Sequence, residues 1–97
     1  MKRKQDLDII MGKILVVLKK HKIEKAGIFG SYVRGEQKKN SDIDLLIMPP
    51  KGMSLINFAG VRLELEDKLG KKIDLLSYRG IHPLIKKKIL GEEIRIL

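Results

Sequence analysis

Cysteine and tryptophan are absent from the chain, and two tyrosines and two phenylalanines are its whole aromatic complement. The first absence excludes disulfides and thiolate metal sites. The shortage of rings argues against a base-stacking platform for single-stranded nucleic acid, which relies on aromatic side chains. No apolar run approaches the roughly 18 residues needed to cross a bilayer. The basic start Met1-Lys2-Arg3-Lys4 is followed at once by Asp6 and Asp8, and Lys13 interrupts the apolar stretch beyond. That pattern is not a secretory leader. No membrane partner is expected, and the cytoplasm is the expected location.

What is present is a globular composition, 43% hydrophobic and 34% charged over 97 residues, which argues against a disordered chain. One domain, 1–97, is expected. A chain of this length buries only about 60–70% of its unfolded surface, so it has little material for a separate substrate domain. An enzyme of this size is expected to draw part of its substrate site from another copy or another protein. The net charge of +9 favours polyanionic partners: nucleotides, nucleic acid or an acidic protein. Lysine is the majority cation, interleaved with glutamate, and asparagine and glutamine are scarce. Those features fit a heat-adapted surface better than a nucleic-acid surface, so nucleic acid is the disfavoured partner.

Hydrophobic periodicity divides the chain. Leu7, Ile10, Met11, Ile14 and Leu18 recur at helical spacing and predict a helix over 6–21. Asp6 and Asp8 fall in its first turn and Lys19, Lys20 and Lys22 at its end, as the helix macrodipole prefers. Residues 25–29 form a short apolar run ending in Gly30 and predict a strand. A short helix opens at Ser31 and ends at Gly35, and 37–41 is a polar loop. Residues 43–48 predict a second strand, stopped by Pro49-Pro50. Ser54 is the N-cap of a helix running to Leu69, with Gly70 just past its end. A third strand is expected over 72–76. A last helix over 83–90 is opened by Pro83 and closed by Gly91, and 94–97 is a terminal strand. Alternating elements imply a sheet covered by helices, an α/β (α+β) arrangement. The tetrapeptide Ile-Asp-Leu-Leu occurs twice, at 43–46 and 73–76, and each copy sets one aspartate into an otherwise apolar strand.

Asp42 and Asp44 stand two apart at the start of a strand, so both side chains leave on the same face while Ile43, Leu45 and Ile47 point to the other. Two carboxylates side by side repel unless a cation lies between them. Oxygen ligands with no histidine or cysteine nearby suit Mg²⁺ or Mn²⁺. Asp74 has the same character on the third strand. If that strand neighbours the second, three carboxylates converge and can hold two divalent ions about 3.5–4 Å apart, the arrangement that clamps attacking and leaving oxygens in phosphoryl-type transfer.

Gly30-Ser31 follows a strand and opens a helix, where free backbone N–H groups favour an anion. Glycine lets the backbone approach a phosphate closely, serine adds a hydroxyl, and Arg34 can reach the same anion with its forked guanidinium. A phosphate cradle beside a metal site describes a site for a nucleoside triphosphate.

The stretch Ile28-Phe29-Gly30-Ser31-Tyr32-Val33-Arg34-Gly35, then Ser41-Asp42-Ile43-Asp44-Leu45, resembles the signature of the polymerase-β-type nucleotidyltransferases, and most closely their minimal branch, MNT. The pattern is Gly-Ser, ten residues, Asp-x-Asp, with Arg-Gly between and a later strand aspartate matched by Asp74. The family often has alanine where this chain has Val33. The resemblance runs over nearly the whole chain. It implies a polymerase-β-like fold, a small mixed sheet with helices packed on it. It implies that Asp42, Asp44 and Asp74 bind Mg²⁺, with Asp74 also acting as base toward the incoming hydroxyl. Gly30 and Ser31 would hold the β- and γ-phosphates of ATP, and Arg34 would touch phosphate or support the loop. Minimal members are commonly encoded beside a small helical HEPN protein, a ribonuclease toxin. The resemblance therefore implies a type VII-like antitoxin that transfers AMP from ATP to a tyrosine of that toxin.

Blander readings stand beside these. Asp-x-Asp alone is more often a loop cap, Gly-Ser alone a turn, and Asp74 alone an edge residue; the combination lowers those odds. Tyr32 either stacks on a base or packs locally. His21 and His82 lack metal-ligand spacing, and His82, before Pro83, reads as a helix-entry residue. Lys86-Lys87-Lys88 reads as a solvated face. Two other functions compete with protein adenylylation. One is a non-catalytic nucleotide-binding antitoxin that docks stoichiometrically. The other is transfer to a small molecule, although such relatives carry an additional substrate domain. A second copy of the chain is a further candidate partner.

Overall fold

The computed structural model describes residues 2–38 and 41–97, with side-chain surroundings from Leu7 onward. Four strands form one sheet in the order β3-β2-β1-β4: β1 is Ala26–Phe29, β2 Ile43–Ile47, β3 Ile73–Ser77 and β4 Ile94–Arg95. β1 runs antiparallel to both β2 and β4, and β2 runs parallel to β3. The sheet is therefore mixed, as expected. The helices are α1, Lys2–Lys20; α2, Ser31–Arg34; α3, Leu55–Leu69; and α4, Pro83–Glu92. A parallel pair cannot be joined by a hairpin, and α3 supplies the crossover from β2 to β3.

α1 and α3 lie on one face. Ile10, Ile14, Val17 and Leu18 of α1 and Val61 and Leu65 of α3 pack on Ala26, Ile28, Ile43, Leu45, Ile47, Ile73 and Leu75 of the sheet. Burial of side chains of this size contributes about 1.5–3 kcal/mol each. The opposite face carries Phe29 and Leu46, met by Ile81 and by Ile89 of α4. α4 covers only part of that face, and the aspartates occupy the remainder.

Strand ends move by a residue or two, β4 stopping at Arg95 rather than Leu97, and three other differences from the sequence reading each have a physical reason. α1 begins at Lys2 rather than Asp6, because lysine, arginine and glutamine favour helix and nothing in that stretch breaks it. Asp8 therefore lies inside the helix rather than in its first turn, and the Asp6 side chain lies outside the described residues. α4 runs through Gly91 to Glu92. A glycine stops a helix by taking positive φ, and Gly91 is not among the glycines that do. Tyr78–Gly80 forms an unforeseen 3₁₀ turn whose N-cap, Ser77, accepts a hydrogen bond from the Arg79 N–H. Within the polar loop expected over 37–41, residues 39 and 40 lie outside the described residues. Ser54 caps α3 as expected, accepting from the Asn57 N–H at 3.0 Å, and Gly70 follows α3 in the left-handed region.

Candidate active site

The parallel pairing of β2 and β3 places Asp44 opposite Asp74. The repeated tetrapeptide explains this register: residues 43–46 lie beside 73–76, isoleucine to isoleucine and aspartate to aspartate. Side chains opposite one another in a sheet share a face. Ile43, Leu45, Ile73 and Leu75 thus fill the α1/α3 core, and both carboxyls leave on the α4 side. The burial is uneven: Asp44 is half-buried, while Asp42 and Asp74 are exposed.

Like charges facing each other are costly, and the protonation of Asp44 records it. Its carboxyl is pushed up to about 6, first by burial, then by the charge and hydrogen-bond contact of Asp74, then by the charge of Asp42; Arg34 pulls weakly the other way. The two strands thus bring Asp44 and Asp74 into contact, with Asp42 close enough to act on Asp44 through space. Among the described residues, no three acidic, histidine or cysteine side chains already stand as a metal cage. The donor set fits a hard divalent cation through the Asp44–Asp74 pair, all oxygen and close enough to repel.

Gly30 adjoins that pair. It sits at φ 79, ψ −151, and a Cβ built there would overlap the Asp44 carboxylate. Both facts restrict the position to glycine. The Gly30 carbonyl accepts from the N–H groups of Val33 and Arg34 at 3.0 and 3.1 Å, which winds α2. Gly35 ends α2 at φ 72, its N–H on the Ser31 carbonyl. Ser31 thus opens a single turn beside the carboxylates.

Arg34 is not free. Its Nη1 donates to Glu92 Oε1 at 2.9 Å and its Nε to Glu36, and those two carboxylates raise its pKa. The Gly30 N–H donates to the same Glu92 oxygen at 3.0 Å. The next residue, Glu93, accepts from the Tyr78 hydroxyl and fills the space that a side chain at Gly27 would need. Burial, then Glu93, raises the Tyr78 pKa. Sequence reasoning missed Glu92 and Glu93. The available signal was an acidic pair at the C-terminal end of a lysine-rich helix, where the macrodipole disfavours negative charge.

The remaining residues take structural places. Tyr32 is buried in the α1/α3 core, so it packs locally and does not stack on a base. His21 Nε2 lies 2.9 Å from Glu64 Oε1, and Lys20 Nζ 3.1 Å from Oε2; together they hold the Glu64 carboxyl below its usual value. His82 caps α4, its Nδ1 accepting from the Leu84 N–H at 3.1 Å. Lys86, Lys87 and Lys88 are exposed. Among the described residues no helix is long and apolar enough to cross a membrane.

The sequence profile of the family described as Polymerase beta, Nucleotidyltransferase matches residues 12–97. A relative from Methanocaldococcus jannaschii, whose name gives it as a candidate protein adenylyltransferase, is 46% identical over 92 residues, covering 95% of this chain and 99% of its own. The solved structure of a candidate minimal nucleotidyltransferase superposes with a TM-score of 0.80 at 33% identity, over 93% of this chain and 92% of that chain. A solved complex of a tri-AMPylated Shewanella oneidensis HEPN toxin with an MNT antitoxin aligns with a TM-score of 0.74 over 93% of this chain and 71% of that one. At 18% identity this last is a likeness of fold.

Proposed function

The chain belongs to the polymerase beta nucleotidyltransferase family, and on that premise we propose that it transfers AMP from ATP to a tyrosine of a small helical HEPN toxin, for which it is the antitoxin. Two likenesses support the reading: a relative named for protein adenylylation, and a fold shared with an MNT antitoxin in complex with an AMPylated toxin. The observation that carries it is the in-register pair Asp44 and Asp74 abutting the Gly30 turn.

In this reading Asp42, Asp44 and Asp74 hold Mg²⁺, with Mn²⁺ as a substitute. A cation held there would supply neutralisation of the charge on the triphosphate and on the pyrophosphate. Gly30 and Ser31 offer their N–H groups and the serine hydroxyl to the β- and γ-phosphates, and Arg34 adds its guanidinium. These contacts hold the α-phosphorus in line with the acceptor. The tyrosine oxygen forms the new bond to phosphorus, the bond to pyrophosphate breaks, and the phenolic proton goes to Asp74, the more exposed member of the pair. The acceptor comes from the partner protein.

The test is to incubate the purified chain with Mg²⁺, labelled ATP and the HEPN protein encoded beside it, and to map modified peptides by mass spectrometry. AMP on a partner tyrosine is expected, and it should disappear in the folded Asp42→Asn/Asp44→Asn variant. Failure of the folded wild type to transfer any nucleotide with Mg²⁺ or Mn²⁺ would sink the catalytic reading. Neutralisation of the toxin without transfer would replace it with stoichiometric docking.

A further inference from the structure

Glu92 holds two donors that the reading above gives to the nucleotide. One of its oxygens, Oε1, accepts from the Gly30 N–H at 3.0 Å and from Arg34 Nη1 at 2.9 Å. The contact spans most of the chain, from the last residue of α4 to the turn between β1 and α2, so it is a tertiary latch and not a local cap. Arg34 is more exposed than Glu92, their side chains retaining 44% and 22% of their accessible surface. The partly buried carboxylate is therefore the fixed member, and the arginine reaches in to it. Glu36 takes the Nε side of the same guanidinium, which leaves Arg34 clamped between two acids.

A backbone N–H and a guanidinium converging on one anionic oxygen form the donor set that a phosphoryl oxygen takes. A carboxylate and a phosphate cannot share it, because both are anions and their close approach is repulsive. The Asp44 carboxylate stands against Gly30 from the other side, so the turn is already crowded with negative charge. We infer that Glu92 is the resident anion of the phosphate cradle and sets the affinity for the nucleotide: a polyphosphate must displace its carboxylate from Gly30 and Arg34. The inference rests on the assignment of Gly30, Ser31 and Arg34 to phosphate binding.

Displacement has a structural consequence. Glu92 is followed directly by Glu93, held on Tyr78, and by β4, where Ile94 and Arg95 pair with Ile28 and Gly27 and the next two residues, Ile96 and Leu97, bond the backbone of Ala26. Release of Glu92 removes the tie between the last turn of α4 and the Gly30 turn, while β4 and the residues after it stay bonded to β1. Nucleotide binding at the Gly30 turn therefore loosens the last turn of α4, residues 90–93.

The test compares wild type with Glu92→Gln, which keeps the size and an acceptor oxygen but loses the charge. Isothermal titration uses ATP and inorganic tripolyphosphate, each with Mg²⁺. The variant is expected to bind both about tenfold more tightly, the value of one charge-assisted hydrogen bond that no longer has to be broken. Hydrogen–deuterium exchange over 90–93 is expected to rise on ligand binding in wild type and to be high in the variant without ligand, while 94–97 stay protected. Equal or weaker binding by a folded Glu92→Gln overturns the inference and leaves the nucleotide site intact. Absence of binding by both proteins overturns the inference together with the reading it rests on. If the glutamine variant fails to fold, Glu92→Asp retains the charge but draws the carboxylate back, and it should bind more tightly than wild type; unchanged affinity there overturns the inference.

Discussion

The carboxylate of Asp44 stands where a side chain at residue 30 would be. Strand register and turn conformation meet at this contact. Asp44 is placed opposite Phe29 on β1 and opposite Asp74 on β3, and the chain leaves β1 through Gly30 at positive φ. The turn can approach the acid only because it has no Cβ.

Gly30→Ala is expected to destabilise the protein by about 1–3 kcal/mol, from positive φ on an alanine, and to displace Asp44. Gly12→Ala is the internal control. Gly12 lies on the exposed side of α1 with nothing within 4 Å of an added methyl, and alanine there should stabilise by about 0.5–1 kcal/mol. Urea denaturation of both variants measures the contrast. A Gly30→Ala protein as stable as wild type would show that the turn and the acid are not in steric conflict.

Lys22 is the single non-glycine residue with positive φ, 60°, among the described residues. It ends α1: its N–H bonds the Lys19 carbonyl at 3.0 Å and the Ile23 N–H bonds the Leu18 carbonyl at 2.9 Å, the Schellman pattern that glycine usually completes. Lys22→Gly should remove about 1 kcal/mol of backbone strain and raise Tm by about 4–8 °C for a domain of this size. A lower Tm would mean that the lysine stem supplies packing that outweighs the strain.

These positions show which parts of the molecule were legible in its sequence. Element types followed from period and punctuation: Ser54 and Gly70 bracket α3, and the three long helices and the strands fall where apolar spacing puts them. The Ile-Asp-Leu-Leu repeat was visible, but its meaning was not. The two copies pair in register, and nothing local to either strand specifies a partner. The same limit hid Glu92. A carboxylate that serves a turn some sixty residues earlier leaves no periodic trace, whereas the Ser54 cap does, because its partner lies three residues away. Lys22 was illegible for another reason: lysine does not advertise a left-handed conformation, so it read as one more cation at the end of α1.

Asp44 makes the stability of the metal-free protein depend on pH in the direction opposite to most paired carboxylates. Its folded pKa, about 6, is above its ordinary value of 3.8, so the native state binds this proton more readily than the unfolded chain does. The resulting penalty is full above pH 6 and fades as pH falls from about 6 to about 4. A rise of that size corresponds to about 3 kcal/mol for a desolvated group, and solvent screening at a half-exposed site reduces it to about 1 kcal/mol. Asp44→Asn should therefore be more stable than wild type by about that amount at pH 7 without metal, and the advantage should vanish near pH 4. Denaturation midpoints of both proteins across this range, in EDTA, provide the measurement. A constant difference would mean that Asp44 titrates normally.

Mg²⁺ should reverse this ordering. A cation held by Asp44 and Asp74 converts their repulsion into attraction and binds the folded state alone, so it stabilises by mass action, about 1.4 kcal/mol at ten times its dissociation constant. At about 4–8 °C per kcal/mol, millimolar Mg²⁺ or Mn²⁺ should give wild type a clear rise in Tm. Asp44→Asn and Asp74→Asn should start at a higher Tm in EDTA and gain much less on adding the metal, because each lacks one of the facing carboxylates. Asp42→Asn should also lose much of the metal response, as the third ligand; a full response there would mean that Asp42 acts on Asp44 only through space. An equal rise in Tm for wild type and both variants of the facing pair would place the cation elsewhere on the protein.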